Sequence, residues 1–119
     1  MSTGQSINYE GRIFTALANS ESGEVSGQTL FYYHQEAEVL WAEYYGGEVL
    51  KGFLVGKVLE GGRLEFFYQH INQNMELRLG QCKTVPELLP DGRLRLHEDW
   101  KWMNGGLQSG TSTLEEVRK

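Results

Sequence analysis

Fifteen glycines and only two prolines, Pro86 and Pro90, divide this 119-residue chain into short segments, and that punctuation constrains the fold more than any other feature. Between the glycines, apolar and polar residues alternate with the period of two that belongs to strands. Strands are expected over residues 11–19, 28–35, 39–45, 48–60, 63–72, 75–84, 93–104 and 111–117, eight in all. Gly46-Gly47 and Gly61-Gly62 suit two-residue turns that need positive φ, Gln73-Asn74 is a weaker candidate, and Pro90-Asp91-Gly92 reads as a turn. No long amphipathic helix is expected, although residues 85–89 have room for a single helical turn.

Sequential strands joined by short turns form a meander, and closing the meander removes the edges that an open sheet must protect. The expected fold is all-β: one eight-stranded antiparallel up-and-down barrel, with an interior just wide enough for side chains or one small ligand. An open, strongly bent sheet that dimerises through an uncovered face is the alternative. The length suits one barrel domain over residues 1–119, with 1–6 as a flexible tail and the glycine- and serine-rich 19–27 segment as an exposed loop.

Which residues turn inward depends on register. A two-residue turn at Gly46-Gly47 pairs Trp41 with Gly52, which gives the indole room and puts Val39, Trp41 and Glu43 inside. A turn at Gln73-Asn74 pairs His70 with Leu77 and Tyr68 with Leu79, so Phe66, Tyr68 and His70 face inward and Arg78 outward. Carried back through Gly61-Gly62, that phase conflicts with the first hairpin. One extra residue in the fourth strand reconciles them, so a bulge or sharp bend is expected near Gly52 or Gly56. The other solution places Tyr32, His34, Tyr44 and Lys51 inside.

With the bulge, the interior collects Phe31, Tyr33, Trp41, Glu43, Phe66, Tyr68, His70, Glu98, Trp100 and Trp102. In "RLHEDWKWMNGG" the strand period aligns Glu98 with two indoles on one face. A dry core would use Val, Ile and Leu, whereas aromatics with polar tips beside two acids resemble the wall of a binding site. Tyr33, Trp41, Glu43, Tyr68, His70, Glu98, Trp100 and Trp102 are therefore the candidate ligand-binding residues. A buried carboxylate needs partners, here a Trp N–H, a Tyr hydroxyl, His70 or Arg95. A filled barrel with the aromatic tips at its rim and the acids facing water would use the same residues structurally.

Other chemistry has little support. There is no G-x-S-x-G elbow, no phosphate loop and no dinucleotide glycine motif, so no cofactor is expected. His34 and His97 lie on strands apart from His70, which leaves a metal site unsupported. Cys82 is the only cysteine and reads as a small buried thiol. The net charge of −5 is spread along the chain, which disfavours nucleic acid and anionic membrane as partners and favours a neutral or cationic small molecule. No apolar leader follows Met1, so a cytoplasmic location is the expectation.

At "NYEGRIF", "FYYHQEAEVLWAEYYGGEVLKGFLVGKV", "YQHIN" and "LLPDGRLRLHEDWKW" the chain resembles, over nearly its whole length, a family of small bacterial proteins to which automatic annotation often attaches the label N-acetylglutamate synthase. The resemblance implies an avidin-like or lipocalin-like barrel and supplies no catalytic residues. No Arg or Gln here begins the [RQ]-x-x-G-x-[GA] loop by which acetyltransferases hold a cofactor pyrophosphate. The first functional expectation is a small-molecule-binding module. An enzyme with Glu43 or Glu98 as base and His70 as acid is the second, and a filled barrel serving a structural or partner role, including a homodimer, is the third.

Overall fold

A computed structural model describes residues 7–118, so the expected tail at 1–6 lies outside the described residues. The strands are β1 (Ile13–Asn19), β2 (Leu30–Glu36), β3 (Val39–Gly46), β4 (Val49–Val58), β5 (Leu64–Asn72), β6 (Leu77–Leu88), β7 (Leu94–Trp102) and β8 (Ser109–Glu116). Each pairs antiparallel with the next, and β8 returns to β1, closing the barrel. Residues 85–89 do not form the expected helical turn, because β6 runs to Leu88 and keeps its ladder with β7 through Pro86.

Turn length sets the register. Backbone bonds from Leu59 N to Arg63 O (2.7 Å), Asn72 N to Glu76 O (3.0 Å) and Leu89 N to Arg93 O (2.8 Å) each enclose three residues. Loops of this length end in a left-handed residue. Gly62 (φ 81°), Met75 (φ 62°) and Gly92 (φ 91°) fill that position. Each expected two-residue turn at Gly61-Gly62 and Gln73-Asn74 is therefore off by one, and the turn expected at Gly46-Gly47 falls instead at Gly47-Glu48, because Gly46 pairs with Val49. Arg78, not Leu77, lies opposite His70, and Gly80, not Leu79, lies opposite Tyr68. Arg78 turns inward, while Leu77 and Leu79 face out.

The expected irregularity in the fourth strand lies immediately before Gly52. Val49 opposes Asn72 and Lys51 opposes Ile71, which leaves Leu50 as the extra residue. Leu50 and Lys51 both face out, while Val49 and Gly52 both face in. Beyond this bulge Trp41 pairs with Val55 and Glu43 with Phe53, all on the outer face, which corrects the inward placement of Val39, Trp41 and Glu43. A glycine does face a bulky ring, but the ring is that of Tyr44: a Cβ on Gly52 would lie 2.5 Å from its Cζ. Of the alternative inward set, only Tyr44 is inside.

The interior has two unlike halves. At the end holding the β2–β3, β4–β5 and β6–β7 turns, Phe14, Leu40, Leu64, Leu94, Leu96 and Leu114 are fully buried around Tyr33 and Tyr9. The Tyr9 hydroxyl donates to Gly62 O at 2.6 Å and closes this end. Aliphatic packing of this kind supplies most of a barrel's burial energy, about 1.5–3 kcal/mol for each large side chain. The opposite end is lined by aromatic and polar residues.

Candidate functional site

The second half of the barrel holds a cavity of about 40 Å³, enough for a few water molecules or a ligand of a few heavy atoms. Tyr68 and His70 from β5 and Glu98, Trp100 and Trp102 from β7 line it, together with Phe31, Tyr44, Phe66, Cys82 and Ser112. Five of the eight residues singled out from sequence thus converge. Tyr33 is buried in the dry half, and its hydroxyl has no hydrogen-bond partner. Trp41 and Glu43 are not in the interior. They sit outside, where the Trp41 ring stacks on His34 at 5.5 Å and a Glu43 oxygen lies 3.6 Å from His34 Nε2.

Small residues make room for the rings on neighbouring strands. A side chain at Gly80 would lie 2.3 Å from the Tyr68 hydroxyl, and one at Gly110 would lie 2.7 Å from the Trp100 ring. Pairing of Gly80 with Trp102 and of Gly110 with Trp100 lets two indoles share one strand face beside Tyr68, which meets Trp102 edge-on at 5.5 Å.

The 20–28 loop between β1 and β2 folds over the mouth. Its Glu24 carboxylate accepts from Arg78 Nη1 at 2.6 Å, His70 Nε2 at 2.8 Å and Asn72 Nδ2 at 3.2 Å. Trp102 Nε1 donates to Ser22 O of the loop (3.1 Å), and Trp100 Nε1 donates to Asn19 Oδ1 at the end of β1 (3.2 Å), whose Nδ2 in turn donates to Val25 O (3.0 Å). Arg78 lies 3.9 Å above the Trp102 ring, a cation–π contact that fixes both groups. Glu24 and Arg78 were missed from sequence.

The tautomer of His70 follows from its neighbours. An ionised carboxylate only accepts, so Nε2 carries the hydrogen toward Glu24. Nδ1 is then an acceptor, and the Tyr44 hydroxyl donates to it at 2.9 Å. Burial, and to a smaller degree Arg78, lowers the His70 pKa, while the Glu24 bond partly opposes this. A neutral ring agrees with that direction. In Glu24 and Arg78 the loop latch pairs one anion with one cation.

Glu98 has a different setting. It is 8 % exposed, accepts from Ser112 Oγ at 2.8 Å, and has no basic partner among the described residues. Burial pushes its pKa up to about 7, and donation from Ser112 and Cys82 only partly offsets this. The Cys82 thiol is itself raised by burial and by the nearby Glu98 charge, which makes it an inert group. Among the described residues no cluster of three or more His, Cys, Asp or Glu could hold a metal ion.

The chain is thus a closed antiparallel barrel with one aliphatic half and one aromatic-walled cavity beneath the β1–β2 loop. The avidin-like protein family model matches residues 7–117, and the chain belongs to that family. A search of curated proteins found no match. No helix among the described residues is long and apolar enough to cross a membrane.

Proposed function

We propose that the protein binds a small molecule in the cavity beneath the 20–28 loop, using Tyr68, His70, Glu98, Trp100 and Trp102 as walls and polar contacts. One observation carries the reading: a carboxyl group with a single short side-chain hydrogen bond lines a cavity walled by aromatic rings. A carboxyl is costly to bury in a core that only needs filling, and the other half of this barrel is filled by leucines, Phe14 and the rings of Tyr9 and Tyr33 without any carboxyl. Membership of the avidin-like family, known for small-molecule binding, supports the same reading. An acid–base enzyme would need a free nitrogen on His70 near its partner acid, whereas both ring nitrogens are engaged by Tyr44 and Glu24.

A thermal-shift screen against a broad metabolite library tests the reading, with tryptophan emission as a second signal because Trp100 and Trp102 line the cavity. A true ligand at a hundred times its Kd should add about 2.7 kcal/mol to stability. Silence in both signals across the library would refute it.

An exposed apolar band on the outer face supports a homodimer as well. Val55 and Phe67 are paired across β4 and β5, and they are 58 % and 55 % exposed. Trp41 continues the band on β3. Sedimentation of the wild-type chain and of Val55→Lys checks this: a dimer that the lysine dissociates is expected, and a monomer at all concentrations would overturn it.

A further inference from the structure

The cavity contains two acids with very different neighbours, and the difference specifies a ligand charge. Glu24 is met by Arg78, His70 and Asn72, so its charge is spent within the protein. Glu98 is met by the hydroxyl of Ser112 at 2.8 Å and by no cation among the described residues. The ionisable groups near enough to feel a Glu98 charge are Tyr33 on β2, Tyr44 on β3, Tyr68 on β5 and Cys82 on β6, and burial keeps each of them neutral. Arg78 is held by Glu24, and His70 is neutral, so neither supplies Glu98 with a counter-charge. An ionised Glu98 therefore leaves the cavity one positive charge short, in a site walled by Phe31, Phe66 and Trp100. Aromatic faces attract cations and disfavour anions.

Building on the binding role above, we infer that the cavity takes a small organic ammonium ion, with the Glu98 carboxylate as its counter-ion and the aromatic rings around its alkyl part. Binding replaces the acid's proton by the ligand's charge: the Glu98 O–H bond breaks, the proton leaves to solvent, and the carboxylate accepts from the ammonium N–H. The volume of about 40 Å³ limits the ligand to a short alkyl group unless the 20–28 loop opens. Ser112 stays a donor to the same carboxylate and fixes its orientation.

The test titrates wild-type protein and Glu98→Gln with methyl- to butylammonium and with the matching alcohols, near pH 7, in weakly buffered solution containing a pH indicator. The expected result is that an ammonium ion binds wild type about tenfold to a hundredfold more tightly than its alcohol. It also releases a fraction of a proton per site, as a carboxyl partly protonated at the working pH requires. Both effects disappear in Glu98→Gln, whose folding is checked by its melting curve. If alcohols bind as well as ammonium ions, or both bind Glu98→Gln unchanged, the ammonium assignment fails and the binding cavity stands. If neither series alters tryptophan emission or stability, the ammonium assignment fails, and silence of the metabolite library as well removes the cavity's binding role.

Discussion

Replacing Glu98 by Gln should stabilise the protein above neutrality, and the size follows from the acid's burial. The side chain is 8 % exposed, and its pKa stands at about 7 against an ordinary value of 4.5. Such a displacement corresponds to about 3 kcal/mol. The sign is set by proton counting. Between about pH 4.5 and 7 the folded protein holds a proton that the unfolded chain has released, so this group's contribution to stability is full below the unfolded pKa. It is lost progressively as pH rises through the folded value, and above that both states are ionised and the slope ends. Glutamine copies the neutral acid in shape and keeps an oxygen for Ser112, so the variant lacks this loss. Urea unfolding of both proteins from pH 4 to 8.5 gives the difference curve, in which groups common to both cancel. That curve should move by about 3 kcal/mol in favour of Glu98→Gln, or on the order of 10 °C in Tm for a domain of this size. A difference that stays flat between pH 5 and 8 would refute the claim that this carboxyl is buried without a counter-charge.

Four further outcomes follow from the same geometry. Tyr44→Phe removes the donor to His70 Nδ1 at 2.9 Å and leaves a buried acceptor unpaired, so urea unfolding should show a loss of about 1–3 kcal/mol. Glu24→Ala unpins the 20–28 loop from Arg78 and His70; amide hydrogen exchange should accelerate in that loop while the Leu94 and Leu96 amides of β7 stay protected. Gly52→Ala forces a Cβ to within 2.5 Å of the Tyr44 ring and 2.8 Å of His70 Cβ, and should cost about 3 kcal/mol or more. Gly61→Ala, at φ +76° in open space, should cost only about 1–2 kcal/mol, and thermal unfolding of both glycine variants checks the contrast.

The closed meander was legible because glycines and alternating side chains mark strands independently of register. The inward faces of β2, β5 and β7 were legible too, since Phe31, Phe66 and Trp100 stand at strand period with the other buried residues of their strands. β3 was not. In "VLWAEYYG" apolar side chains occupy both faces, so periodicity could not choose between Trp41 and Tyr44, and the decision fell to turn length. Turn length was misread at Gly61-Gly62, where two adjacent glycines read as a two-residue turn but Glu60 belongs to the loop as well, and at Gln73-Asn74, where the left-handed residue is Met75 and a methionine at φ 62° leaves no local mark. The bulge beside Gly52 was foreseen from a parity conflict, although that conflict drew partly on the misread turns.

The site divided along the same line. Glu98, Trp100 and Trp102 came from one strand and could be aligned by counting residues. The latch could not, because its members lie far apart in the chain: Glu24 reaches His70, 46 residues on, and Arg78, 54 residues on. Nothing local distinguishes Glu24 from the other acids of an acidic chain, and it sits in a loop without periodicity. Its placement requires the barrel to close first, bringing the inner faces of β5 and β6 beneath the β1–β2 connection. Arg78 then becomes inward only because the β5–β6 loop has three residues; one fewer would send its guanidinium to the outer face, leave Glu24 without a cation, and put a leucine opposite His70. The charge balance that leaves Glu98 as the cavity's unpaired acid therefore depends on one backbone turn, remote in sequence from both carboxylates.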